Sequence, residues 1–286
     1  MKFAMYSRFQ TMVEEVGIQK TAAFAREQEL EGVELYCDSI ADVSAIPNVG
    51  VAREAKNVLD AYGLPMVCVS CAYDAILCPD PGKTMEKYLQ ITKALGSPYL
   101  HHTLLVTPCG NDTESEIMQK IDLAADSAVK IAKMAQDFGI TCLYEDQGGY
   151  INGRFGFGRF FENVKSRVHN VGICADIGNI LYADEAPEDF FPVFAEDIKH
   201  VHIKDYLRKQ VNTSPGKNWR PTKKGDYLRN TMVGHGVINY AEVMAFFKEI
   251  GYSGYFALEL DHPEPFEDGI DQAIHYLTPL FEGESQ

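Results

Sequence analysis

The stretch SEIMQKIDLAADSAVKIAKMAQDFGITCLYED, residues 115–146, decides the fold. Its first part carries apolar residues with helical periodicity up to Gly139, and a short apolar run then ends at Glu145. A glycine just past a helical segment is typical of a helix C-cap, and a short apolar run is typical of a buried strand. The stretch therefore predicts one helix followed by one strand.

The same pattern repeats along the chain. Strands are predicted at residues 2–7, 32–37, 65–71, 99–106, 140–146, 171–176, 200–205 and 254–261, with helical segments between them. Strict alternation favours a parallel sheet, and eight repeats in 286 residues favour a closed barrel over a doubly wound open sheet. We predict an α/β protein in which residues 1–286 form a single (β/α)8 TIM barrel.

One long irregular stretch follows the seventh predicted strand, at about 207–236. It holds the only tryptophan, Trp219, together with a local run of basic residues. A loop of this length in a compact domain is usually a lid or a binding element. Trp219 is therefore a candidate for contact with substrate.

Composition excludes several classes of partner. The formal net charge is -15, from 26 Lys and Arg against 41 Asp and Glu, which disfavours nucleic acid and anionic membranes. The start MKFAMYSRFQ lacks the apolar segment of a signal peptide, and no apolar run reaches the length of a membrane span. The seven cysteines are odd in number, which indicates reduced thiols. A cytoplasmic protein is predicted.

The stretch KHVHIKD, residues 199–205, carries many titratable groups for a buried strand. Strand alternation sends His200, His202 and Lys204 to one face. Burying such polar groups is costly unless they are paired or bind a metal. The interior of the barrel is therefore expected to hold a polar site.

Charged residues close four consecutive predicted strands, one on each: Glu145, Asp176, His202 and Glu259. The carboxyl ends of the strands form the face on which TIM barrels build their active sites. Three carboxylates and one imidazole suit one divalent ion, with Mn²⁺ favoured and Mg²⁺ or Co²⁺ as alternatives. A rim of internal salt bridges is the structural alternative.

The motifs GVELYCD, YEDQ, ADIGN, HVHIKD, GHGVINY and ALELD together resemble the xylose-isomerase-like TIM-barrel superfamily, in its sugar isomerase/epimerase (AP-endonuclease-2-like) branch. The resemblance spans nearly the whole chain. It implies that Glu145, Asp176, His202 and Glu259 bind one divalent metal ion. It also implies that Glu145 and Glu259 form the acid/base pair.

The chain departs from the ketose 3-epimerases of this branch at two positions. Asn179 stands where they carry a substrate-binding histidine, and Ile151 stands where they carry a second glutamate. Arg208 does match their substrate-binding arginine. The candidate substrate contacts are His101, His102, Asn179, Lys204, Arg208 and Trp219. Tyr6 and Glu34 are weaker candidates for the site, and His200 is expected to be a hydrogen-bonded barrel histidine.

The resemblance implies an enzyme that removes a proton next to the carbonyl of a sugar or oxo-sugar, as an isomerase or epimerase does. The same chemistry ends in β-elimination if a leaving group is present, as in the catalytic subunits of C-glycoside deglycosidases, which work with a small partner chain. An endonuclease with several zinc ions and a non-catalytic sugar-binding barrel are more distant alternatives. We expect a small-molecule substrate and a homo-oligomer, with a small accessory subunit as a further option.

Overall fold

A computed structural model describes residues 1–38, 44–78, 80–104 and 112–283. Its strands are β1 (Lys2–Met5), β2 (Gly32–Asp38), β3 (Met66–Ala72), β4 (Tyr99–His102), β5 (Thr141–Glu145), β6 (Val171–Asp176), β7 (Ile198–Ile203), β8 (Asp205–Lys209), β9 (Arg220–Pro221), β10 (Tyr227–Thr231) and β11 (Tyr255–Leu258). The strands β1 to β7 and β11 are parallel and close into a barrel, because β11 pairs with both β7 and β1. The predicted (β/α)8 fold is confirmed.

The helices lie outside this barrel. They are α1 (Phe9–Val16), α2 (Ile18–Glu27), α3 (Val49–Ala61), α4 (Gly82–Leu95), α5 (Glu114–Gln136), α6 (Gly153–Lys165), α7 (Pro187–Phe190), α8 (Tyr240–Glu249) and α9 (Phe266–Glu282). A capping box between Thr113 and Glu116 begins α5, and Gly139 follows its end with a φ of 68°. Among the described helices, none is both long and apolar enough to span a membrane.

Two apolar layers hold the fold together. The larger cluster lies between the helices and the outer face of the barrel. The smaller cluster consists of Ala4, Val67, Cys68, Leu143, Cys174 and Ala257. Five of these residues lie two positions before Tyr6, Ser70, Glu145, Asp176 and Glu259, so they share a strand face with those polar groups. The polar groups therefore stand on a floor of small apolar side chains.

Cys68 and Cys71 lie three positions apart in β3 and face opposite sides of the strand. Cys68 belongs to the smaller cluster, whereas Cys71 belongs to the larger one, and both are free thiols. Their opposite directions leave no CxxC site. Cys109 and residues 105–106 of the fourth predicted strand lie outside the described residues.

The region after β7 is less irregular than its composition suggests. The strands β8, β10 and β9 form a small antiparallel sheet in which β10 is central. Asp205, at the start of β8, anchors the segment that follows β10. Its carboxylate accepts hydrogen bonds from the backbone N–H groups of Gly234 at 3.0 Å and Gly236 at 2.9 Å. A Cβ at Gly236 would collide with the Asp205 carboxylate and lie 2.5 Å from the Tyr206 carbonyl oxygen, so this position requires glycine.

Candidate active site

Each of the eight strands of the barrel contributes at least one polar side chain to its interior. The residues are Tyr6, Glu34, Ser70, His101, Glu145, Asp176, His202 and Glu259, in the chain order of the eight strands. Tyr6 and Glu259 stand just after their strands, while the other six lie within theirs. The first four strands supply an aromatic ring, a carboxylate, a hydroxyl and an imidazole, and the last four supply the predicted metal ligands.

The four predicted ligands converge. Glu145, Asp176, His202 and Glu259 each offer one ligand atom, and these atoms lie within 4.8 Å of one another. Two further groups share His202, one with His101 and Cys174 and one with Glu34 and His200. The strand ends thus bring together the whole set that the sequence predicted.

Lys204 places its ammonium group among these carboxylates. Its Nζ lies 2.6 Å from Asp176 Oδ2 and 2.6 Å from Glu259 Oε1, and it donates to Asn179 Oδ1 at 3.3 Å. Burial would lower the pKa of this lysine, but the charges of Asp176 and Glu259 outweigh burial and raise it well above its usual value. Lys204 is therefore a fixed positive charge beside the ligands.

The environments of the two predicted acid/base residues push their pKa values apart. Burial and the nearby Asp176 carboxylate raise the pKa of Glu145 well above its ordinary value. Burial would also raise the pKa of Glu259, but the charge of Lys204 and the contact with His202 lower it instead. Opposite shifts of this kind are typical of paired acids and bases.

His101 faces the interior and contacts Glu145. Its Nε2 lies 3.1 Å from Glu145 Oε2, and its Nδ1 lies 2.8 Å from the Ser70 hydroxyl. Because the Ser70 hydroxyl donates to Glu34 Oε1 at 2.6 Å, we assign the ring proton to Nδ1, which leaves the lone pair of Nε2 facing Glu145. Burial lowers the pKa of His101 to about 3, so the ring is neutral.

Asn179 is held inside the ligand set. Its side-chain amide donates to Glu145 Oε1, and its backbone N–H donates to Asp176 Oδ1 at 2.9 Å. Asn179 thus orients a carboxylate at the position where ketose 3-epimerases carry a substrate-binding histidine. Ile151, at the position of their second glutamate, is a buried apolar residue.

Three of the candidate substrate contacts are not brought to this set. Arg208 forms ion pairs with Asp184 at 2.5 Å and Asp226 at 2.7 Å, which tie the small sheet to the chain after β6. Trp219 lies in the small sheet region, where Lys209 Nζ stands 4.7 Å from the centroid of its ring. His102 points away from His101 because successive strand residues face opposite sides.

The surroundings of His102 are aromatic. Its ring packs edge-on against Tyr144, with centroids 5.2 Å apart, and against Tyr73 at 6.4 Å. Burial lowers its pKa to about 4. Packing between the barrel and the helices accounts for this histidine.

Sequence reasoning missed two interior groups. Ser70 is the single hydroxyl in the apolar strand MVCVSCA, and this polar exception was the available signal. Asp146 is buried beside Glu145 and accepts the Asp176 backbone N–H at 3.3 Å. Burial and the Asp176 charge raise the pKa of Asp146 well above its usual value.

The donor set fits a divalent cation. His202 Nδ1 is buried, lies 3.3 Å from Glu259 Oε2 and forms no aligned hydrogen bond within the described residues. Three carboxylates face the same point, and Lys204 offsets only part of their charge. Oxygen-rich sets with one imidazole suit Mn²⁺ and Mg²⁺.

Comparison with known proteins agrees with this architecture. The family described as xylose isomerase-like TIM barrel matches residues 22–280. The chain is 26% identical over 155 residues to the inosose dehydratase of Bacillus thuringiensis (strain Al Hakam), a match that covers 52% of this chain and 50% of the relative. The chain spans about half the length of the curated relatives that it matches.

Two solved structures show the same fold. The probable 3-DHS dehydratase AsbF, involved in petrobactin synthesis in Bacillus anthracis, has a TM-score of 0.75 at 16% identity, covering 97% of this chain and 99% of that chain. The IolI protein, solved with a binding zinc atom, has a TM-score of 0.72 at 15% identity, covering 100% of both chains.

Proposed function

The chain belongs to the xylose isomerase-like TIM-barrel family, and we propose that it is a metal-dependent enzyme that removes a proton next to the carbonyl group of a sugar or oxo-sugar. One observation carries the proposal: Glu145, Asp176, His202 and Glu259 offer ligand atoms within 4.8 Å of one another at the active-site end of the barrel. The substrate is thus a small molecule that reaches the mouth of the barrel.

The cation would be held by oxygens of Glu145, Asp176 and Glu259 and by His202 Nδ1. When bound, it would polarise the substrate carbonyl and stabilise the charge that develops as the proton leaves. Mn²⁺ is our first choice because the set is rich in oxygen and includes one imidazole, with Mg²⁺ and Co²⁺ as alternatives. The IolI structure, with its zinc atom, shows that this fold accepts a metal ion in at least one neighbour.

The two glutamates divide the movement of protons. Lys204 and His202 favour the ionised form of Glu259, which can accept a proton from the substrate. In the metal-free site, burial and Asp176 favour the protonated form of Glu145, so Glu145 is the more readily protonated of the two and can return a proton to the substrate. The Asn179 amide donates a hydrogen bond to that carboxyl, and the neutral His101 ring lies 3.1 Å from it.

Return of the proton to the same or a neighbouring carbon gives epimerisation or isomerisation. Elimination of a leaving group gives a lyase, and two observations favour this second candidate. The Bacillus thuringiensis relative and AsbF are named as dehydratases, and Asn179 replaces the histidine with which ketose 3-epimerases hold their substrate. Water or the aglycone of a 3-oxo-glycoside would be the leaving group.

Incubation in deuterium oxide tests both candidates. The Mn²⁺-loaded protein is given a panel of ketoses, inososes and 3-oxo-glycosides, and the products are followed by NMR and mass spectrometry. Deuterium in a recovered or rearranged sugar identifies an isomerase or epimerase, whereas loss of water or aglycone identifies a lyase. Glu145→Gln is the inactive control. Absence of exchange and of release across the panel in the loaded protein would refute the proposal.

The proposal extends to assembly and location. We propose a cytoplasmic homo-oligomer, with an accessory subunit only if 3-oxo-glycosides prove to be the substrates. Light scattering of the purified protein measures the assembly directly, and a monomer at micromolar concentration would contradict this part.

A further inference from the structure

Glu34 lies behind the predicted histidine ligand, on β2, and is completely buried. Its two carboxylate oxygens lie 3.2 and 3.3 Å from His202 Nε2. The other ring nitrogen, His202 Nδ1, faces Glu259 on the opposite side of the ring. The imidazole of His202 thus stands between Glu34 and the ligand set.

A carboxylate can only accept a hydrogen bond, so Glu34 requires the ring proton of His202 on Nε2. In the neutral ring, which is the form that binds a metal ion, the lone pair is then on Nδ1, the nitrogen that points at the other three predicted ligands. Tyr6 stacks on the same ring, with centroids 4.6 Å apart and planes inclined by 24°, and restricts its rotation. Glu34 therefore fixes which ring nitrogen of His202 carries the proton, and Tyr6 fixes the plane of the ring; neither residue is a predicted ligand.

Glu34 is itself tightly held. His200 Nε2 lies 2.7 Å from Oε2, and the Ser70 hydroxyl donates to Oε1 at 2.6 Å. His200 and Ser70 are also buried. A fully buried carboxylate is costly unless its oxygens are satisfied, and here three neighbouring side chains satisfy them. This accounts for His200, which supports Glu34 one layer below His202.

The Glu34 carboxylate also reaches the other side of the ligand set. Ser70 connects it to His101 Nδ1 at 2.8 Å, and His101 Nε2 lies 3.1 Å from Glu145. One carboxylate that is not among the four predicted ligands therefore contacts His202 directly and, through Ser70, the His101 ring that lies against Glu145.

We propose that Glu34 is a positioning residue of the metal centre: it orients His202 for coordination through Nδ1 and, through Ser70 and His101, fixes the carboxyl of Glu145. The inference rests on the proposed metal-dependent function. Groups that hold the second ring nitrogen of a histidine ligand commonly change metal affinity by about 10–100-fold when they are replaced.

The test measures Mn²⁺ binding without turnover, from the electron paramagnetic resonance signal of the free ion. Glu34→Gln keeps the volume of the side chain but replaces one acceptor oxygen by an NH₂ group, and its Kd for Mn²⁺ should rise about 10–100-fold. Ser70→Ala removes one hydrogen bond to Glu34 and should raise Kd by less than about tenfold. Glu31→Gln makes the same charge change at an exposed residue just before β2 and should leave Kd unchanged.

Each outcome is decisive. Absence of Mn²⁺ binding by the unmodified protein refutes the proposed function itself. If the unmodified protein binds Mn²⁺ and Glu34→Gln binds it equally well, the positioning role is wrong, even if the melting temperature of the metal-free variant falls. If Glu34→Gln does not fold, Ser70→Ala decides: an unchanged Kd overturns the inference, and a weaker one supports it.

Discussion

Replacing Glu145 or Glu259 by glutamine should have opposite consequences for the stability of the metal-free protein. The environment of Glu145 favours its neutral form, whereas Lys204 and His202 favour the charged form of Glu259. Glutamine is neutral and nearly the same size as glutamate. Glutamine therefore resembles the protonated form that the fold favours at Glu145, and it removes the negative charge that the fold favours at Glu259.

The contacts of Glu145 survive the change to glutamine. The amide oxygen can still accept from Asn179, and the amide nitrogen can donate to His101 Nε2, 3.1 Å from the present Oε2. No cavity and no unpaired polar atom is created. At neutral pH the variant should be more stable than the unmodified protein, because only the glutamate becomes ionised on unfolding. Below about pH 4, where glutamate is protonated in both the folded and the unfolded chain, the free energy of unfolding should change by less than about 0.5 kcal/mol. For a chain of this size, that is a melting-temperature shift of about 1 °C or less.

Glu259→Gln breaks an ion pair of 2.6 Å with the buried Lys204. Removing one partner of a buried pair costs about 3–5 kcal/mol. Lys204 keeps its contact of 2.6 Å with Asp176, and the Glu259 side chain is 20% exposed, so we expect a loss of about 2–3 kcal/mol. The melting temperature should fall by about 3–5 °C.

Both variants are compared with the unmodified protein by calorimetry after dialysis against a chelator. Their turnover with Mn²⁺ should fall at least about 100-fold, because each loses an acid/base group. The carboxyl of Glu145, with its raised pKa, stabilises the fold at low pH and loses that contribution as pH rises through the folded pKa. Glu145→Gln should therefore gain stability relative to the unmodified protein as pH increases. Equal destabilisation by the two variants at neutral pH would refute the assignment of neutral Glu145 and ionised Glu259.

Three further predictions follow from other parts of the molecule. Removal of metal by a chelator should abolish activity, and Mn²⁺ at about 100 times its Kd should restore activity and stabilise the fold by about 2.7 kcal/mol, as measured by calorimetry. Burial lowers the pKa of His102 to about 4, so the folded protein favours the neutral ring and its free energy of unfolding should fall by up to about 3 kcal/mol as pH drops from about 6.5 to 4. In His102→Phe, the free energy of unfolding from chemical denaturation should depend less on pH over that range. An identical pH dependence would contradict the explanation by a buried ring. Gly236→Ala, whose Cβ would clash with Asp205, should displace the chain where it leaves the small sheet and make residues 207–236 sensitive to protease. Gly158→Ala in α6, where the added Cβ would lie 3.8 Å from Phe194 and no positive φ is required, should leave that sensitivity unchanged; equal sensitivity of the two variants would argue against the Asp205 anchor.

The convergence of Glu145, Asp176, His202 and Glu259 could be predicted because two simple rules apply to them together. Strand periodicity tells which side chains share a face, and parallel closure brings the carboxyl ends of neighbouring strands to one rim. Glu145, Asp176 and His202 lie in strands whose limits were predicted within a few residues. Glu259 required less accuracy, because a residue one position past its strand still faces the same rim.

The supporting network could not be predicted in the same way. The hydrogen bond between Glu34 and His200 joins residues 166 positions apart, and it depends on how the two sides of the closed barrel meet across its interior. The case of Arg208 is similar. Its spacing from His202 suggested a substrate contact, but its guanidinium group is engaged by Asp184, 24 residues earlier in the chain, and by Asp226, 18 residues later.

The allocation of polar groups to strands divides the barrel into two halves. The strands β5, β6, β7 and β11 supply the four predicted ligands, while β1 to β4 supply the ring, carboxylate, hydroxyl and imidazole of the network that lies against two of them, His202 and Glu145. A chimera that joined the second half of this protein to the first half of a distant relative would inherit all four predicted ligands and lack the side chains that contact His202 and Glu145. Recombination between such barrels can therefore succeed only when both parents place matching side chains across the joint.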